Sequence, residues 1–342
     1  MDRGKSIFAL ILVGLLSFSC ATKTEYFMRE QRSTAPLKDY NEKKPKRVLV
    51  LSGGAFYGAF ELGVILYLIK ELRMKFDIVC GTSVGALNAA MIVQGKIAEA
   101  EDIWRSLDSR DAIFDPSILE NVIAKGGLYG IEPLAELVDK HVDVEKLRKS
   151  DMQLLVGVVC LETGEFMLID QNNPNIKSFI LASASVPGLT PAIKIDGRHY
   201  VDGGLRYVMP VRQIMNLDVK EIIMVSAFSL EDKVAAVESK NLERYEEGDY
   251  RKITHFAERA VQIVMHQLLW EPIDYAFSVA PCKGIDVKLI QPDQGVYKKG
   301  AFEFDQEEIR RAIEHGYDQA QKAFPEHQKH NTPLACGSLK GP

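Results

Sequence analysis

With 342 residues, 46% of them hydrophobic and 26% charged, the chain has a globular composition and enough apolar material for a large core. Its formal charge of −5 is spread along the chain with no basic stripe, which excludes the usual electrostatic footprint of a nucleic-acid binder. Beyond residue 20 no run of eighteen apolar residues occurs, so no transmembrane helix is expected in the body.

The N-terminus differs from the rest of the chain. A short cationic start, Met1 to Lys5, leads into the apolar run Ile7 to Leu16 and then Ser17-Phe18-Ser19-Cys20. That run is too short to span a bilayer and has the layout of a secretory signal. Cys20 resembles the lipidation site of a bacterial lipoprotein, although Ser17 and Phe18 stand where leucine and a small residue are usual. The expectation is a signal peptide over 1–19, a lipidated Cys20 on a polar tether over 20–45, and a protein exported and held at a bacterial membrane. Cleaved export without lipid and a retained anchor are the alternatives. The other cysteines, Cys80, Cys160, Cys282 and Cys336, form no CxxC and no metal-ligand cluster, so no metal and no cofactor is expected.

The domain is expected over 46–325, followed by a polar tail over 326–342. Arg47 to Ser52 reads as a buried strand, Gly53-Gly54-Ala55-Phe56-Tyr57-Gly58 as a tight turn, and Ala59 to Leu72 as an apolar helix. A phosphate loop would need Lys and Ser or Thr where Ala59 and Phe60 stand. A dinucleotide loop would need glycine at Ala55 and an acid ending the next strand, which instead ends at Cys80-Gly81. The remaining functional reading is a row of backbone amides that receive an oxyanion, over Gly53, Gly54 and Ala55, with Gly54 and Ala55 as the main donors.

Phe76 to Cys80 is the second strand, and Ala86 to Gln94 starts a helix rich in small residues. Between them lies Gly81-Thr82-Ser83-Val84-Gly85, a Gly-x-Ser-x-Gly turn. A serine at such a strand-to-helix corner stands clear of the sheet, and the following helix aims its amide end at it. Ser83 is therefore read as a nucleophile. Ala98 to Leu107 is amphipathic, with Trp104 read as core. A helix is expected near Ile131 to His141, with His141 at the surface. Gln153 to Cys160 and Glu165 to Asp170 read as a hairpin and Ile176 to Ala184 as a helix.

Ala192 to Val201 reads as a second hairpin that delivers Asp202-Gly203-Gly204 at a turn. Asp202 is the best-placed base for Ser83, and His199, three residues earlier in the strand, is the competing candidate. Glu221 to Ala227 and Gly284 to Ile290 read as strands, Arg251 to Trp270 and Phe304 to Ala323 as helices, and 229–250 as a solvated charged stretch.

Taken together, Ser52 to Gly58, Gly81 to Gly85 and Asp202-Gly203-Gly204, in that order, resemble the motifs of the patatin-like phospholipase family. The run Ala182 to Pro191 resembles the family's segment before its aspartate. The likeness covers roughly 47–295. It implies a three-layer α/β/α domain with a mainly parallel sheet, a Ser83–Asp202 dyad without histidine, and acyl esters of lipids as substrates. Gly58, Gly81, Gly85, Gly203 and Gly204 are its motif glycines. Three positions depart from the family pattern: Ala55 for a glycine, Tyr57 for the loop's cation, and Val208 for an asparagine before Pro210. A Ser-Asp-His α/β-hydrolase using a late histidine such as His315, an acyltransferase, and a non-catalytic lipid-binding protein of the same fold compete with this reading.

Overall fold

A computed structural model describes residues 46–124, 126–230, 253–293, 296–298 and 300–325. The expected signal, Cys20, the tether, the charged stretch over 231–250 and the tail over 326–342 lie outside the described residues. Eight strands form one sheet: β1 (Arg47–Leu51), β2 (Ile78–Thr82), β3 (Gln153–Cys160), β4 (Phe166–Asp170), β5 (Ile193–Ile195), β6 (Arg198–Asp202), β7 (Glu221–Val225) and β8 (Asp286–Ile290). The run β3-β2-β1-β7-β8 is parallel, while β4, β6 and β5 add antiparallel pairs.

The helices are α1 (Gly58–Ile65), α2 (Val84–Val93), α3 (Ile97–Ser106), α4 (Ile118–Ala124), α5 (Glu132–His141), α6 (Val144–Lys149), α7 (Ile176–Ser183), α8 (Val211–Ile214), α9 (Ile253–Lys283) and α10 (Gln306–Ala323). The central strands are apolar throughout because helices cover both faces. Leu49, Leu51, Val79, Leu154, Val156, Ile223 and Val225 point into one core with residues of α1, α2, α7 and α10. Their neighbours Val48, Val50, Ile78, Cys80, Leu155, Ile222 and Met224 point into a second core with α8 and α9. This period of two gives the three layers.

One detail of register places the site. β4 takes one edge of β3 at Leu155 to Val159. β2, at Gln153 to Gly157, and β6, at Val158 to Cys160, must therefore share the other edge, end to end. β2 runs parallel to β3 and stops at Thr82 opposite Gly157; β6 runs the other way and stops at Asp202 opposite Val158. The carboxyl ends of the two strands meet, so Ser83, the next residue after β2, lies beside Asp202.

The long helix departs from the reading that ended it at Trp270. It continues to Lys283 through Pro272 and Pro281. A proline inside a helix costs about 3 kcal/mol. Leu269, Ile273, Ala276 and Ala280, one helical face running past Pro272 up to Pro281, are buried in the second core and offset that cost.

Candidate active site

Ser83 sits between β2 and α2 with φ 55° and ψ −129°. A non-glycine residue there stores about 1–3 kcal/mol of strain, which the packing around it must hold. The motif glycines provide that packing. A Cβ on Gly81 would lie 2.2 Å from the Gly85 carbonyl oxygen, and one on Gly85 would lie 2.4 Å from that of Ser52. Gly58 packs against Val84, and Gly203 against the Gly157 carbonyl, equally closely. Two serines that the sequence did not mark as functional hold the corner. The Ser83 amide donates to Ser183 Oγ at 2.9 Å, and Ser183 Oγ donates to the Gly157 carbonyl at 2.7 Å. The Asp202 amide donates to the Ser185 carbonyl at 2.9 Å. The small-residue run before Pro187 thus docks both site residues.

Asp202 is 5% exposed, its carboxylate accepts from the Gly204 amide at 2.7 Å, and the Ser83 side chain stands beside it. Burial pushes its carboxyl up from 3.8 to about 7, against the opposing pull of the Ser83 side chain and the Gly204 amide. An acid titrating near neutrality in contact with a serine is suited to take its proton.

The oxyanion loop needs one correction. Gly53 was expected to supply an amide, but that amide donates to the Val208 carbonyl at 2.9 Å. Gly53 matters for space instead: a Cβ there would lie 3.1 Å from Ser83 Cβ. Among the described residues the Gly54 and Ala55 amides donate to no partner. Phe56 and Tyr57 are committed to Ala301 and Gly54. The loop's cation place holds Tyr57, stacked on Tyr297 at 3.6 Å and edge-on to Phe228 at 5.5 Å. Aromatic contacts hold the loop where the family pattern has a cation.

Ala55 carries φ 48° in place of a glycine. A left-handed alanine costs about 1–2 kcal/mol, partly offset because glycine loses more entropy on folding. Ala55→Gly is therefore expected to raise stability by roughly 0.5–1 kcal/mol in urea unfolding. A less stable variant would contradict the strain at this residue.

A cavity of about 140 Å³ starts at Ser83 and Ala55 and follows α2 past Leu87 and Met91, with Trp104, Leu134 and Val138 in its walls. Its lining is almost wholly apolar. His141, expected at the surface, is half-buried, lines this cavity, and lies 2.6 Å from Glu99 through Nδ1. The helix places it there because its carbonyl accepts from Lys96 just beyond the end of α2. Ser83 lies at the other end of α2, about 15 Å away at 1.5 Å per residue, so His141 is out of reach as its base. His199 is half-buried and bonded to Glu162 at 2.8 Å, and His315 lies against Phe60 with Nε2 accepting from the Asp293 amide. Among the described residues no group of three or more His, Cys, Asp or Glu could hold a metal ion.

Fold and site together define an α/β protein with a serine at a sharp strand-to-helix corner, a carboxylate beside it, and free amides across from it. Residues 49–215 match the family model described as patatin-like phospholipase, which supports a patatin-like phospholipase domain over that part of the chain. YjjU of Escherichia coli is 22% identical over 197 residues, 53% of this chain and 52% of that protein. A cGAMP-activated phospholipase of Vibrio cholerae is 26% identical over 194 residues, 48% of this chain and 55% of that protein. The chain thus spans about half the length of the curated relatives it matches. Among solved structures, VipD from Legionella pneumophila aligns with a TM-score of 0.43 and 14% identity, over 92% of this chain and 73% of that one.

Proposed function

We propose that this protein hydrolyses acyl esters of lipids through Ser83 and Asp202. One observation carries the reading: Ser83 stands beside a buried carboxylate titrating near neutrality and lines an apolar cavity. Asp202 takes the proton as Ser83 Oγ attacks the ester carbonyl carbon. The developing oxyanion meets the Gly54 and Ala55 amides and the positive end of α2. Asp202 returns the proton to the leaving alcohol as the ester bond breaks. Water, deprotonated in turn by Asp202, then releases the fatty acid from Ser83. Leu87, Met91 and Trp104 give the acyl chain an apolar seat during both steps. The match of residues 49–215 to the patatin-like phospholipase model supports the substrate class.

The test is release of free fatty acid by purified protein from a panel of phospholipids, lysophospholipids and glycerides. Turnover of at least one class, abolished by a serine-directed fluorophosphonate, is expected. A binding protein of the same fold would release nothing from any of them. The proposal extends to location: lipid on Cys20 holds the enzyme at a membrane. Cells fed labelled palmitate are expected to label the wild type and not Cys20→Ala. A wild type without label, with Cys20→Ala still in the membrane fraction, would contradict it.

A further inference from the structure

Beneath the oxyanion loop lies a polar cluster that the proposed reaction does not use. Glu61, in the first turn of α1, is fully buried. Ser52 Oγ lies 3.2 Å from one of its oxygens, and Asn88 Nδ2 donates to the other at 3.1 Å. Asn88 also donates to the Gly58 carbonyl at 3.1 Å and accepts from Trp104 Nε1 at 3.1 Å. The Ala227 amide donates to Ser52 Oγ at 2.8 Å, and Ser52 Oγ lies 3.0 Å from the Gly53 carbonyl oxygen.

A hydroxyl has one proton to give. If Ser52 donates to the Glu61 carboxylate, it leaves the buried Gly53 carbonyl and a buried charge faces no cation. If Glu61 is protonated, its O–H donates to Ser52 Oγ and Ser52 donates to the Gly53 carbonyl. Ser52 then accepts twice and donates once, Asn88 serves the second Glu61 oxygen, and every contact in the cluster is satisfied. A buried polar group left unpaired costs about 1–3 kcal/mol, more when charged, so the second arrangement wins.

That arrangement reaches the site through one peptide plane. The Gly53 carbonyl and the Gly54 N–H belong to the same trans peptide and point in opposite directions. Fixing the carbonyl towards Ser52 therefore fixes the Gly54 amide in the opposite direction, away from the buried cluster. We infer that Glu61 stands as a neutral acid and is a positioning residue of the oxyanion loop, acting through Ser52 on the Gly53–Gly54 peptide. Its effect on catalysis rests on the roles proposed for Ser83 and Gly54.

Burial also pushes the Glu61 carboxyl up to about 8, with Asn88 and Ser52 as the opposing influences and no charged group among them. α2 carries no titratable side chain. On the other helices packed against α1, Glu99 and Glu101 of α3 are paired with His141 and with Lys70 and Arg105. On α10, His315 lies against Phe60, Tyr317 against Tyr67, and Glu308 accepts from the Lys298 amide.

The first experiment does not depend on turnover. The infrared spectrum of wild type minus Glu61→Gln at pH 7 should contain a protonated carboxylic C=O band that disappears as pH rises past 8. A carboxylate band at pH 7 overturns the inference even if no ester is hydrolysed. The second compares kinetics on the best ester. Glu61→Ala and Ser52→Ala should each lower kcat about 10–100-fold with KM nearly unchanged, since the oxyanion donor acts in the transition state. Glu61→Gln, whose amide can donate to Ser52 and accept from Asn88, should restore kcat to within about threefold and hold its rate above pH 8, where the wild-type rate should fall as Glu61 ionises. A Glu61→Gln protein as impaired as Glu61→Ala would show that the ionised acid is needed and overturn the inference. Circular dichroism melts check that each variant is folded. A wild type that is inactive on every ester but shows the protonated band would contradict the proposed function and leave the Glu61 assignment standing.

Discussion

Ser83→Ala is expected to lower ester hydrolysis by about 10⁴-fold or more, equivalent to roughly 5.5 kcal/mol of barrier, in a protein that still folds. The size follows from the chemistry: without Oγ there is no covalent acyl step, and the amides and cavity can only assist attack by water. The fold should persist because the strained corner is held by backbone and by Ser183, and alanine tolerates φ 55° no worse than serine. What is lost is the Ser83 hydroxyl beside Asp202, at most about 1 kcal/mol. Comparing initial rates and urea melts of the two proteins checks both halves.

Asp202→Asn is expected to fall by at least about 10³-fold, because an amide can hold Ser83 in place but cannot take its proton. The same substitution should stabilise the protein at alkaline pH. Burial raises the Asp202 carboxyl from 3.8 to about 7. Between those values the unfolded chain has released the proton and the folded chain keeps it. Stability therefore falls as pH rises across that window and levels off above about 7, a penalty of roughly 4 kcal/mol in full. Asparagine carries no such penalty. Asp202→Asn should melt above wild type at pH 8, with the gap closing towards pH 4. Wild-type activity should run the other way and rise through about 7 as the base ionises. Single substitutions of His199, His255, His266 and His315 should leave the rate within about tenfold. A folded, inactive variant at one of them, beside an active Asp202→Asn, would replace the dyad with a histidine triad.

Ser83 and Asp202 were legible because each sits in a turn whose glycines are dictated by backbone clearance, and such clearance leaves a mark in sequence. What joins them is not local. The head-on meeting of β2 and β6 depends on β4 occupying the opposite edge of β3, and no spacing along the chain announces that. Gly53 misled for a related reason. A Gly-rich turn identifies the amides near an oxyanion, but the one consumed by Val208 is known only once that distant carbonyl is in place. The end of α9 was misplaced because proline is a local signal and burial of Leu269 to Ala280 is a tertiary one. α4 and α6 are too short for a hydrophobic period to stand out. Glu61 left one trace, a single acid early in an otherwise apolar helix start, but its partners come from three other segments.

The most direct test is a fluorophosphonate probe followed by peptide mass spectrometry on the full-length protein. The probe needs an activated serine and no knowledge of the natural lipid. A single adduct on Ser83 is predicted for the wild type, strongly reduced in Asp202→Asn and unaffected by His199→Ala. An unlabelled wild type, or an adduct on another serine with Ser83 unmodified, would contradict the account.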